Sequence, residues 1–204
     1  MTAINITVDM IPIGTEIVIG YDTNKNKPIK WEKAGKRNEF ICKSIVANRN
    51  VINISRYLTI SINEPGETNL YFSDYELLSI ESLRVPRMEE VVKIDGEDSR
   101  LEYFKKRTTK LEQNDLFTKY YIENDEDLHN WNIKYAIDCT TGRRHMVFAA
   151  DNVGIRPLLK LYPNSKLIVA DDGNLKLSDD TNGRIKSVIE ENEEIDLYKF
   201  FNLL

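Results

Sequence analysis

The chain has 204 residues, 41% of them hydrophobic and 30% charged, and a formal net charge of −5. A chain of this length and composition can bury a core without help from a metal or a disulfide. Its acidic balance excludes a general electrostatic attraction for nucleic acid, because phosphate binding needs a positive field.

The first element is written as an alternation. Ile4, Ile6, Val8 and Met10 are separated by Asn5, Thr7 and Asp9, which predicts a strand with one buried face. Pro12 and Gly14 end it, and Glu16 to Gly20 forms the next strand. No basic stretch followed by an apolar run precedes them, and no segment is apolar for long enough to cross a bilayer. The expected compartment is the cytoplasm. Tyr21 to Pro28 is a loop of turn formers, and Ile29 to Trp31 resumes extended structure. Phe40 to Ala47, Val51 to Ile54 and Tyr57 to Ile62 are β-branched runs that predict further strands.

The middle changes character. Pro86 opens a short predicted helix through Val92. Asp98 or Ser99 caps a longer one, with Leu101, Phe104, Thr108 and Leu111 on one face. Strands are expected again at Leu116 to Ile122, Asn132 to Cys139, His145 to Ala149 and Gly154 to Leu161. Thr140-Thr141-Gly142 marks a turn, and Asp171-Asp172-Gly173 joins strands Lys166 to Ala170 and Asn174 to Leu177 as a hairpin. Ile195, Tyr198, Phe200 and Phe201 predict a terminal helix. No repeat or linker divides the chain. The most defensible cut falls near residue 164, giving a main domain of residues 1–164 with a hairpin and helix, 165–204, packed on it.

Three motifs occur in a fixed order. Gly14-Thr15-Glu16-Ile17-Val18-Ile19-Gly20 leads to Pro28-Ile29-Lys30-Trp31-Glu32; then comes Tyr75-Glu76-Leu77-Leu78-Ser79-Ile80-Glu81; last is Gly154-Ile155-Arg156-Pro157-Leu158-Leu159-Lys160-Leu161. This order resembles an uncharacterised family of bacterial and phage domains, whose fold is similar to that of C-type lectins and formylglycine-generating enzymes. The resemblance implies an α+β domain, antiparallel, strand-rich and C-type-lectin-like, with two short helices; here a C-terminal hairpin-helix extension follows it. The residues of the closing motif have their own physical reading as a structural motif. Gly154 allows a positive φ or a close backbone approach. Arg156 suits a bidentate pair with a carboxylate at the core's edge. Pro157 puts its strand at a sheet edge or at the strand's own start.

Catalytic and metal chemistry finds little support. Cys42 and Cys139 lack the close spacing of the copper-holding thiols that the resemblance brings to mind. They read as reduced, partly buried thiols, with a single disulfide as the alternative. Glu64-Pro65-Gly66 and Trp131-Asn132-Ile133 each miss a ligand of a calcium-dependent lectin site. His129 and His145 are two imidazoles without a third zinc ligand. Asp171, Asp172, Asp179 and Asp180 have no calcium-loop register, and no glycine-rich phosphate loop follows a strand. No metal or cofactor is expected.

The reading is a non-catalytic binding module for a protein partner, a host factor if the chain is a phage or mobile-element product as the resemblance implies. Its expected surface runs over 123–131 and 140–144, with Trp131, His129, Arg143 and Arg144 as candidate anchors. Two alternatives stand beside it. One is a thiol enzyme in which His145 activates Cys139 across a hairpin. The other is anion or nucleic-acid binding through the cluster Lys105, Lys106, Arg107 and Lys110.

Overall fold

The computed structural model describes residues 6–64, 66–94, 98–106, 118–123 and 133–179. The chain is α+β, strand-rich and mostly antiparallel, with a few short helices. Its strands are β1 (Ile6–Thr7), β2 (Glu16–Asp22), β3 (Lys27–Lys33), β4 (Glu39–Cys42), β5 (Ala47–Asn50), β6 (Leu70–Tyr71), β7 (Ile80–Arg84), β8 (Lys119–Ile122), β9 (Ile133–Asp138), β10 (Arg144–Phe148), β11 (Asn152–Ile155), β12 (Leu158–Leu161), β13 (Lys166–Val169) and β14 (Leu175–Leu177). The helices are α1 (Ile54–Asn63), α2 (Asp74–Leu77), α3 (Met88–Val91) and α4 (Glu102–Lys106).

Two sheets form. The larger has the order β1-β13-β14-β2-β3-β4-β12-β7, with β6 paired to β2. The hairpin expected from Asp171-Asp172-Gly173 is therefore built into this sheet between β1 and β2. The smaller sheet has the order β10-β9-β8-β11-β5. Two strands, β9 and β8, lie between β10 and β11 in that order, yet only Ala149, Ala150 and Asp151 join them. So short a link forces the smaller sheet to curl. Asn50 Nδ2 pins the link by donating to the Ala150 carbonyl at 2.8 Å.

The central strands of the smaller sheet bury side chains on both faces. Tyr121, Ala136 and Val147 enter the larger core cluster, with Trp31, Phe40, Phe72 and Leu159. Tyr120, Ile122 and Ile137 enter a smaller cluster beneath α3 and α4, with Met88, Val91, Tyr103 and Phe104.

Two expected strands are helical instead. Val51–Asn53 is a 3-10 turn, and Tyr57 to Ile62 lies within α1. The buried residues of α1 are Ile54, Tyr57, Leu58 and Ser61. That is a helical stripe, and burial along it outweighs the strand preference of the β-branched residues. The first strand is also shorter than expected. Met10 is 71% exposed, and its N–H donates to the Thr7 carbonyl in a turn. The buried Lys33 ammonium explains the departure: it donates to the carbonyls of Val8 (2.7 Å), Asp9 (3.4 Å) and Ile11 (2.9 Å). Backbone oxygens gathered on one cation cannot also serve a straight ladder.

The closing motif is divided between the sheets. Gly154 and Ile155 end β11 in the smaller sheet, and Leu158 begins β12 in the larger one. Gly154 is needed for close approach, not for a positive φ: a Cβ there would stand 2.7 Å from both Ile45 Cδ1 and the Lys119 carbonyl oxygen. Pro157 precedes a strand that is central, between β4 and β7, so it marks a strand start and not an edge. Among the described residues, Arg156 meets no carboxylate, contrary to the expected ion pair. Its side chain is 0% exposed, and Nε donates to the Cys42 carbonyl at 2.9 Å. Its guanidinium lies 5.3 to 5.7 Å from the ring centres of Tyr120, Phe104 and Tyr103. Ring faces and neutral oxygens take the place of the carboxylate, as a delocalised cation permits. The terminal segment 180–204, with its expected helix, lies outside the described residues.

Candidate functional site

The expected anchors Trp131 and His129 lie outside the described residues, as do Arg107 to Lys110 of the basic cluster. Lys105 is described, and it pairs with Glu102 at 3.1 Å along α4. Arg143 and Arg144 are described; Arg144 opens β10 and Arg143 immediately precedes it.

The hairpin of β9 and β10 is built from its turn outward. Asp138 Oδ1 accepts hydrogen bonds from the N–H groups of Thr140 (3.0 Å) and Thr141 (2.6 Å) and from the Thr141 hydroxyl (2.9 Å). These bonds hold its carboxyl below the ordinary value. Gly142 takes φ +70° and donates its N–H to the Asp138 carbonyl, while the Asp138 N–H donates to the Arg143 carbonyl. Gly142 and Arg143 thus face Asp138 together as a glycine bulge, which sets the register of everything after it. Arg144 stands opposite Ile137, His145 opposite Ala136, Met146 opposite Tyr135 and Val147 opposite Lys134.

This register decides which backbone groups of β10 are used. Because residues 138 and 143 exchange a ladder bond, alternate residues His145 and Val147 also turn their backbone groups toward β9. Arg144, Met146 and Phe148 turn theirs away. Phe148 is satisfied locally, its N–H donating to Asp151 Oδ2 at 2.8 Å and its carbonyl accepting from the Asp151 N–H. Among the described residues, β10 has no neighbour on its other side. The N–H and C=O groups of Arg144 and Met146 therefore face an edge that no described residue pairs with.

Side chains along that edge are large and uncovered. Met146 is 69% and Phe148 66% exposed, on the same strand face as Arg144. Arg144 reaches inward, 4.9 Å above the Tyr135 ring, with a contact from Nη1 to Met88 Sδ at 3.1 Å. Arg143 and His145 are exposed on the other face. Beyond Phe148, an open concavity of about 440 Å³ is lined by Asn50, Ile52, Phe148, Ala149 and Ala150. Ile52 in its wall is itself 68% exposed. Met146, Phe148 and Ile52 went unmarked in the sequence, because His145 to Ala149 reads there as the interior of a strand. An apolar run does not reveal that a strand is last in its sheet.

The structure does not bring Cys139 and His145 together. Cys139 joins Ile137 in the smaller cluster, whereas His145 shares its strand face with Val147, which enters the larger one. Burial also pushes the Cys139 thiol above its ordinary value, the reverse of what an activated thiolate needs. Cys42 is buried, free and likewise raised by burial. No helix among the described residues is long and apolar enough to cross a membrane. No family model, no curated protein and no solved structure matches this chain.

Proposed function

We propose that this chain is a non-catalytic binding module that holds a partner protein against the hairpin of β9 and β10. The open edge of β10 is the observation that carries this reading: Met146 and Phe148 stand exposed beside two exposed arginines. Surfaces that combine uncovered apolar side chains with arginine are the usual composition of interface centres. The three ordered motifs support a C-type-lectin-like version of the α+β fold, in which a scaffold carries binding residues on its loops and edges. If the chain is phage-encoded, the partner is a host factor.

The test compares capture of one partner, identified by pull-down with the full chain, by variants of known stability. Arg143→Ala and Phe148→Ala weaken capture at least about tenfold, as expected at the centre of an interface. Met10→Ala, equally exposed on the N-terminal turn, leaves it unchanged. Equal capture by all three variants contradicts the assignment of the surface.

A further inference from the structure

We infer that the open edge of β10 takes an extended segment of its partner as an added antiparallel strand, apolar at its start and acidic at its end. This rests on the reading of the hairpin as the binding surface and goes on to fix the mode of capture and the chemistry of the segment. Four backbone groups carry the mode: the N–H and C=O of Arg144 and of Met146, turned outward by the register with β9. A strand added to an exposed edge draws its affinity from such groups and its specificity from alternate side chains.

The side chains set the sequence. In an antiparallel pair, residues directly opposite share a face. A visiting strand places one residue against Phe148, the next against Val147, and then one each against Met146, His145, Arg144 and Arg143. The positions facing Phe148 and Met146 are apolar, because both side chains are largely exposed and continue toward Ile52. Positions facing Arg144 and Arg143 are acidic. Neither guanidinium pairs with a carboxylate among the described residues, and Arg144 has donors left beyond its contact with Met88. The carboxylates at the two ends of β10, Asp138 and Asp151, are already engaged by backbone N–H groups. The same charge argues against a second copy of this chain as the occupant. Pairing β10 with itself about His145 would set Arg144 opposite Met146 and Arg143 opposite Val147 of the other copy, so neither arginine would meet a carboxylate.

The probe is a capped, fluorescein-labelled peptide reading leucine, threonine, valine, glutamate, glutamate, aspartate, titrated against the full chain by anisotropy. Binding is expected, weakened about tenfold when the three acids are replaced by lysine, and weakened by added salt. Met146→Pro removes an outward N–H and leaves the ladder with β9 intact. It lowers affinity about five- to tenfold, whereas Met146→Leu changes it less than about threefold. Methylating the amide nitrogen of the peptide's valine gives the same loss from the ligand's side, with the protein unaltered. If neither Met146→Pro nor the methylated peptide weakens binding while Arg143→Ala and Phe148→Ala do, strand addition is overturned and the surface assignment survives. If no hairpin variant matters, both fall. If the peptide fails to bind at millimolar concentration, the proposed segment is wrong. A concentration-dependent dimer in sedimentation that Met146→Pro abolishes would make a second copy the occupant and overturn the proposal.

Discussion

Arg156 is a cation at the dry centre of the molecule, held by one carbonyl and three aromatic rings. Planarity matters there, because the guanidinium must face the rings while its edge reaches the Cys42 carbonyl. Arg156→Lys keeps the charge and loses the plane, and it is expected to cost about 2–3 kcal/mol in urea unfolding. A loss below about 0.5 kcal/mol would contradict the aromatic cage as its reason. Glu39 gives the opposite kind of residue. Burial, followed by the like charge of Glu90, raises its carboxyl above the ordinary 4.5; Arg84, 3.5 Å away, is the largest opposing influence, ahead of Arg37 and Lys160, and is itself forked onto Glu90. Between 4.5 and the raised value the folded chain holds more protons than the unfolded one, so this group's contribution falls as pH rises through that window. Glu39→Gln is therefore expected to unfold at higher urea than the parent at pH 7, with the difference closing as pH falls below that ordinary value. An unchanged midpoint at pH 7 would contradict it.

At the scale of elements, α1 is the sharpest test. Thr59 is exposed on it, its hydroxyl donating to the Ser55 carbonyl at 3.0 Å. Thr59→Ala should stabilise the chain by about 0.5 kcal/mol, because alanine is the better helix former; in a strand the same change would destabilise. Gly154→Ala should destabilise by about 2–3 kcal/mol, since its Cβ meets the backbone of β8, which cannot move aside as a side chain can. The strands β2, β3, β4, β8 to β10, β13 and β14 were legible in the sequence, because alternation, apolar runs and turn residues are local signals. The helix α1 was not, because isoleucine and tyrosine favour strands and only the i, i+3, i+4, i+7 spacing of Ile54, Tyr57, Leu58 and Ser61 spoke for a helix. At the site, Arg143 and Arg144 were legible as a basic pair beside a turn. Met146 and Phe148 were not, because exposure of a strand depends on sheet order, which distant residues decide.

At the scale of the molecule, the two sheets share the segment from Gly154 to Leu161, which crosses from one to the other at Arg156-Pro157. The strand order leaves β10 as the outermost strand of the smaller sheet among the described residues, and the glycine bulge at Gly142 decides which of its residues face outward. Amide hydrogen exchange resolved by residue measures that arrangement without any partner. The amides of His145 and Val147, bonded to β9, are expected to exchange slowly, while those of Arg144 and Met146 between them exchange close to unfolded rates. Slow exchange at all four in the isolated chain would mean that the edge is already occupied, and would contradict the account of β10 as the binding surface.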